Sequence, residues 1–229
     1  MRAISGFLVG MVLSAQALAL GLGSLSNADA IGGLKDALTQ GSAAAVSQLG
    51  VENGFLGNDK VKIPLPDTLK KIQGGLRLLG MQKQTDELIT AMNRAAEQAV
   101  PEAKTLLVGA IQNMSVQDAK GILTGGDTAA TDYFRRATSD QLTQKFLPIV
   151  TQATSKVGLA EKYNHLAGQG AKLGLVDAKQ TNIENYVTQK ALDGLFLMIG
   201  EKEKAIRQDP IGAATGMALG PWLAQRRLA

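Results

Sequence analysis

The chain runs to 229 residues with no cysteine, a single histidine and a formal net charge of +4. That length suits one domain with a real core, or two small ones. The missing thiols exclude disulfides, thiol catalysis, a lipid-modified N-terminal cysteine and thiolate metal sites, and His165 alone cannot build the usual zinc ligand sets. No D-x-D-x-D-G calcium loop is present. The basic excess is small and mixed, with no run of five like charges, so nucleic acid is not indicated.

The N-terminus carries the plainest signal. Arg2 is followed by no charged side chain until Asp29, Ile4–Leu13 is a compact apolar run, and Ala17 and Ala19 are small residues at a cleavage spacing. One early cation, an apolar segment and an A-x-A site make a secretory signal peptide. Cleavage after Ala19 is expected, with Ala30 the second choice; the rival is an uncleaved anchor, since the uncharged stretch is long enough to span a bilayer. The expectation is an exported, periplasmic protein, soluble after cleavage.

The rest reads as helix, because apolar positions recur at three and four rather than two. Asn27–Leu49 opens with Asn27 or Asp29 as a cap and sets Ile31, Leu34, Leu38, Ala45 and Leu49 near one side. Residues 50–59 form a turn-rich loop. Residues 61–65 alternate and could make a short edge strand, limited by Pro64. After Pro66, Leu69, Ile72, Leu76 and Leu79 mark an amphipathic helix ended by Gly80.

Gln84–Gln112 is long, with Leu88, Met92, Ala95 and Ala99 as a first stripe and Leu106, Ala110 and Ile111 as a second. Pro101 kinks it or starts a new helix. Ser115–Asp118 is a capping box, and Gly125-Gly126 closes the short helix that follows. Asp127 can cap the next helix, and Thr138–Gln141 reads as another capping box, opening a helix with Leu142, Phe146, Ile149, Ala153 and Val157 that Pro148 bends. The Gly-rich stretch 163–174 stays unassigned. Thr181–Glu184 starts the last strong helix, whose centre Ala191–Ile199 is apolar on nearly every side and is expected to be the most buried. Asp209-Pro210 stops it. With no period of 20–50 residues to suggest a solenoid, the fold class is all-α: a compact multi-helix bundle over 27–210, with at most a minor β element near 61–65 and a tail at 211–229.

Two polar groupings stand out. Asn93, Arg94 and Glu97 share one region of a helix, so they form either a polar cluster facing a pocket or a structural clamp. Gly126, Asp127, Thr128 and Thr131 surround a helix N-terminus that could hold an anion, although Asp127 as a cap is the simpler reading. Asp193, inside the apolar ALDGLF segment, needs a partner if buried, and Arg94 is the expected one. A carboxylate hydrolase would need two of Glu97, Glu184 and Asp193 in one cleft. His165 reads as solvent-exposed, and Trp222 with Arg226-Arg227 as an interfacial anchor or a frayed end. No catalytic residue, metal or cofactor is assigned.

Six blocks in order carry a resemblance: ADAIGGLKDAL (28–38), VKIPLP (61–66), MNRAAEQAVPEAK (92–104), DAKGIL with GGDTAATDYFR (118–135), FLPIV (146–150), and NYVTQKALDGLF with EKAIRQDP (185–210). Together they resemble the bacterial envelope family known as domain of unknown function four-one-nine-seven. The resemblance implies an exported, mostly helical domain without assigned activity; the tail IGAATGMALGPWLAQRRLA departs from it. The expected function is non-catalytic binding or scaffolding for an apolar small molecule, a lipid or an envelope protein, with a hydrolase acting on cell-wall or glycan material as the alternative. Membrane contact is expected only through the leader or the tail.

Overall fold

A computed structural model describes residues 27–158, 160–161, 163–165 and 182–208. Its helices are α1 (Asn27–Leu49), α2 (Asp67–Leu78), α3 (Gln82–Ala99), α4 (Ala103–Gln112), α5 (Val116–Thr124), α6 (Ala129–Thr154) and α7 (Ile183–Gln208), with a 3-10 turn, Val100–Glu102, joining α3 to α4. The expected leader at 1–19, the tail at 211–229 with Trp222 and Arg226-Arg227, Thr181, the Asp209-Pro210 stop and most of 163–174 lie outside the described residues. So do the side chains of Asn27, Asp29, Ile72 and Leu76.

The long α7 organises the bundle. It packs against α6, α1 and α3, while α6 also packs on α3 and α4, and α1 on α4 and α5. As the composition predicts, Ala191, Leu192, Leu195, Phe196, Met198 and Ile199 are all buried. The Leu88, Met92, Ala95 and Ala99 stripe of α3 is completely enclosed. Pro101 starts a new helix through the 3-10 turn, a position where its missing N–H costs nothing. Gly80 ends α2 with φ +74°, a left-handed conformation that glycine adopts without a Cβ clash.

The second capping box does not form, and neither does the short strand that residues 61–65 could have made. Thr138–Gln141 caps nothing: α6 runs unbroken, and the Thr138 hydroxyl donates to the Phe134 carbonyl at 2.7 Å inside it. Phe134, Thr138, Leu142, Phe146, Val150 and Thr154 are spaced by four and all buried, so one continuous stripe overrides the local cap signal. Pro148 lies on the exposed side of this helix, which continues past it to Thr154.

Residues 61–65 form no strand; they run as an irregular segment across α3 and α7. Pro64 has no N–H to give a ladder. The peptide groups of Ile63 are instead satisfied by Asn93, and the Tyr186 hydroxyl donates to the Pro64 carbonyl at 3.1 Å.

The loop before this segment plants the Phe55 ring, fully buried, against Gly194 in the middle of α7. A Cβ at Gly194 would lie 2.7 Å from Phe55 Cε1 and 3.3 Å from Val61 Cβ. Alanine there should gain about 1 kcal/mol in helix propensity but overpack a rigid contact by about 1–3 kcal/mol. Gly194→Ala is therefore expected to destabilise in urea unfolding, and Phe55→Leu in the same chain should recover part of the loss. A Gly194→Ala protein as stable as the parent would refute the close approach.

Burial, followed by the nearby Asp67 carboxylate, pushes the Tyr186 phenol up from 10.0 to about 12. Above the unfolded value the unfolded chain loses this proton while the folded one keeps it. The stabilisation is thus complete below pH 10.0 and is lost as the pH rises towards about 12. Melting curves across that window should show Tyr186→Phe falling less steeply with pH than the parent; parallel curves would count against the buried phenol.

Candidate functional site

Asn93 and Glu97 lie one turn apart on the buried face of α3, with Arg94 beside them at its edge. The Asn93 carboxamide treats Ile63 as a strand neighbour would: Oδ1 accepts its N–H at 2.8 Å and Nδ2 donates to its carbonyl at 2.9 Å. Its second N–H goes to the Ile89 carbonyl at 2.8 Å. Glu97, only 4% exposed, accepts the consecutive N–H groups of Phe55 and Leu56 on Oε1, each at 3.0 Å. Arg94 neutralises it through Nη1 on Oε2. The Arg94 Nη2 then reaches Glu52 Oε1 and Asn53 Oδ1, both at 3.0 Å. Asn53 has φ +66°, a conformation that asparagine tolerates better than most residues.

Of the two readings of this cluster, the structure displays the clamp. Asn93 and Glu97 are spent on backbone groups that would otherwise be buried without partners. Glu52 and Asn53, at the outer end of the chain of contacts, line a surface cleft of about 550 Å³ together with Asp59, Lys60, Met198 and Glu201. The Lys60–Glu201 ion pair spans part of that lining.

The same device recurs near the C-terminal end of α7. Glu203, 5% exposed, accepts the Ala130 N–H on Oε1 and the Thr131 N–H on Oε2, both at 2.9 Å. The Thr131 hydroxyl adds a bond to Oε2 at 2.7 Å. Arg207, one turn on, donates to Glu203 Oε1 and also to the Ile122 carbonyl near the end of α5. The carboxylate thus sits on the positive end of α6 while the guanidinium takes a carbonyl at the negative end of α5, matching charge to helix dipole at both.

This corrects the expected role of Asp127. Gly126, Asp127 and Thr128 are exposed, Thr128 is the N-cap residue, and its side chain makes no cap bond, donating instead to Asp132. The helix start does hold an anion, and Thr131 does contribute its hydroxyl, but the anion is the protein's own Glu203. Its signal was the i,i+4 Glu-Arg spacing in EKAIRQDP, which leaves the distant partner unnamed. The Ser115–Asp118 capping box forms as expected, and Ser115 donation holds the Asp118 carboxyl below its usual value.

The expected Arg94–Asp193 pair does not exist. The Asp193 side chain is 45% exposed, accepts from Gln189 at 3.1 Å and lies 3.9 Å from Arg135. Glu184 is held by Asn164 and Thr154. Glu97, Glu184 and Asp193 therefore share no partner, and the contacts give no convergence of the kind a two-carboxylate hydrolase needs. His165 is exposed. Among the described residues no group of three or more His, Asp or Glu side chains is placed to hold a metal ion, and no helix is long and apolar enough to cross a membrane.

Removing either clamp carboxylate orphans buried N–H groups and strands an arginine. Glu97→Ala and Glu203→Ala should each lose about 3–5 kcal/mol in denaturant unfolding. The Glu203→Ala, Arg207→Ala pair should lose less than the sum of its singles. Asp193→Ala should stay within about 0.5 kcal/mol of the parent. Equal losses at Glu203 and Asp193 would contradict this division.

No curated protein and no solved structure shows a match to this chain. The family model "Protein of unknown function (DUF4197)" matches residues 24–219, which includes both clamps and extends past Pro210 into the segment that the quoted blocks leave out. The chain belongs to the DUF4197 family of proteins of unknown function.

Proposed function

We propose that this protein is an exported envelope protein that acts by binding or scaffolding, without catalysis, and that its partner is an envelope lipid or protein. The observation that carries the reading is the use made of the two buried carboxylates. Glu97 and Glu203 are both consumed by backbone N–H groups and an arginine, so neither is left to transfer a proton. What remains for function is surface: the cleft beside Glu52 and Asn53, and the grooves flanking α2.

Export rests on the Arg2, Ile4–Leu13 and Ala17-x-Ala19 pattern. The start of α1 at Asn27 favours Ala19 over Ala30, since cutting after Ala30 would remove the first turn of that helix. Fractionation of the native host, with N-terminal sequencing of the recovered chain, should place the protein in the periplasmic fraction beginning at Leu20. Recovery from the cytoplasm with the leader intact would overturn export. Native mass spectrometry of the same material should retain a lipid or a protein partner, whereas turnover of cell-wall glycan by the purified chain would overturn the non-catalytic reading.

A further inference from the structure

The basic excess, small over the whole chain, is concentrated in one segment. Residues 62–83 carry Lys62, Lys70, Lys71, Arg77 and Lys83 against Asp67 alone, a net +4 that equals the net charge of the whole chain. The rest of the molecule is therefore neutral in sum. Within this segment α2 packs chiefly on α3, at the margin of the bundle. Lys70, Lys71 and Arg77 are exposed along it. At its C-terminal end Leu78 and Leu79 are 91% and 76% exposed, the two most exposed large apolar side chains among the described residues. Leucines held in water beside a row of cations have a matching surface in one common partner, an anionic bilayer.

We infer that α2 and the turn after it dock on anionic phospholipid, with Leu78 and Leu79 entering the headgroup–acyl boundary and Lys70, Lys71 and Arg77 on the lipid phosphates. Cations on an amphipathic element draw it to such a surface, and the apolar side chains hold it there. On α3, Asp86 lines a groove together with Lys70 and Arg77, and Lys83 sits 3.9 Å from Glu87 and offsets part of that charge. This contact is separate from the leader and the tail. It narrows the binding reading above, and it rests on export only in assuming that the membrane met is an envelope membrane.

The test is sedimentation of the full chain with vesicles of phosphatidylglycerol and phosphatidylcholine, against vesicles of phosphatidylcholine alone. The parent should bind the anionic vesicles, and binding should fall as salt screens the phosphates. Leu78→Ser with Leu79→Ser, and separately Lys70→Glu with Lys71→Glu, should each weaken binding about tenfold or more. All four side chains are exposed, so helix content by circular dichroism should not change. A Leu79→Trp chain should show a blue-shifted emission on anionic vesicles, beyond the change in the parent, which has Trp222 alone. Binding that both double variants retain would assign the contact to the leader or the tail and overturn the inference. So would a stable dimer that the leucine variant abolishes, or no binding by the parent. Any of these can occur with export intact, which fractionation reads separately.

Discussion

The fold depends on buried carboxylates that accept consecutive backbone N–H groups from a distant segment. A loop or helix start that reaches the interior brings donors that nothing in its own element can satisfy. One glutamate can take two of them, and its charge strengthens each bond. The same charge would be prohibitive to bury alone, so each glutamate keeps an arginine on its own helix, three residues before Glu97 and four after Glu203. Because the arginines remain partly exposed, the pair is neutral at its inner end and hydrated at its outer end. The α3 clamp fixes the 50–66 segment over the middle of α7, and the α7 clamp fixes the junction of α5 and α6.

Much of the fold was legible because the stripes are in phase. The fours and threes of α3 and α7 survive intact as buried surface, and the Ser115 box and Gly80 stop obey local rules that tertiary structure had no reason to override. Thr138 shows where local rules lose: its box letters are present, but the stripe from Phe134 to Thr154 keeps burying its side as the helix continues through it. The 61–65 segment has a strand-like pattern for a good reason, since it is read by a carboxamide and a phenol as a strand would be by its neighbour. Only the second strand is missing.

The site was half legible. Asn93, Arg94 and Glu97 were marked by spacing, but what they hold lies about forty residues back in the chain for Arg94 and Glu97, and thirty for Asn93, and no periodicity encodes that. Asp193 misled through the apolar run around it, Ala191–Ile199. That composition suggests a helix buried all round, yet Gln189, Asp193, Leu197 and Glu201, spaced by four, form the most exposed line along α7. One apolar side chain on a wet stripe is ordinary, and it carries little weight against the polar residues in line with it.

The two clamps and α2 divide the molecule by how its polar groups are spent. In the bundle, charge is turned inward and matched: glutamate to peptide N–H, arginine to glutamate, with the remainder balanced in sum. In α2 the cations face water and the terminal leucines are left uncovered. Burying those leucines against α3 would have stabilised the fold at about 1.5–3 kcal/mol each. A chain that holds the α3 stripe from Leu88 to Ala99 entirely out of solvent leaves its two most exposed large apolar side chains, among the described residues, side by side at the end of α2. The physical argument for a docking element at α2 is this contrast.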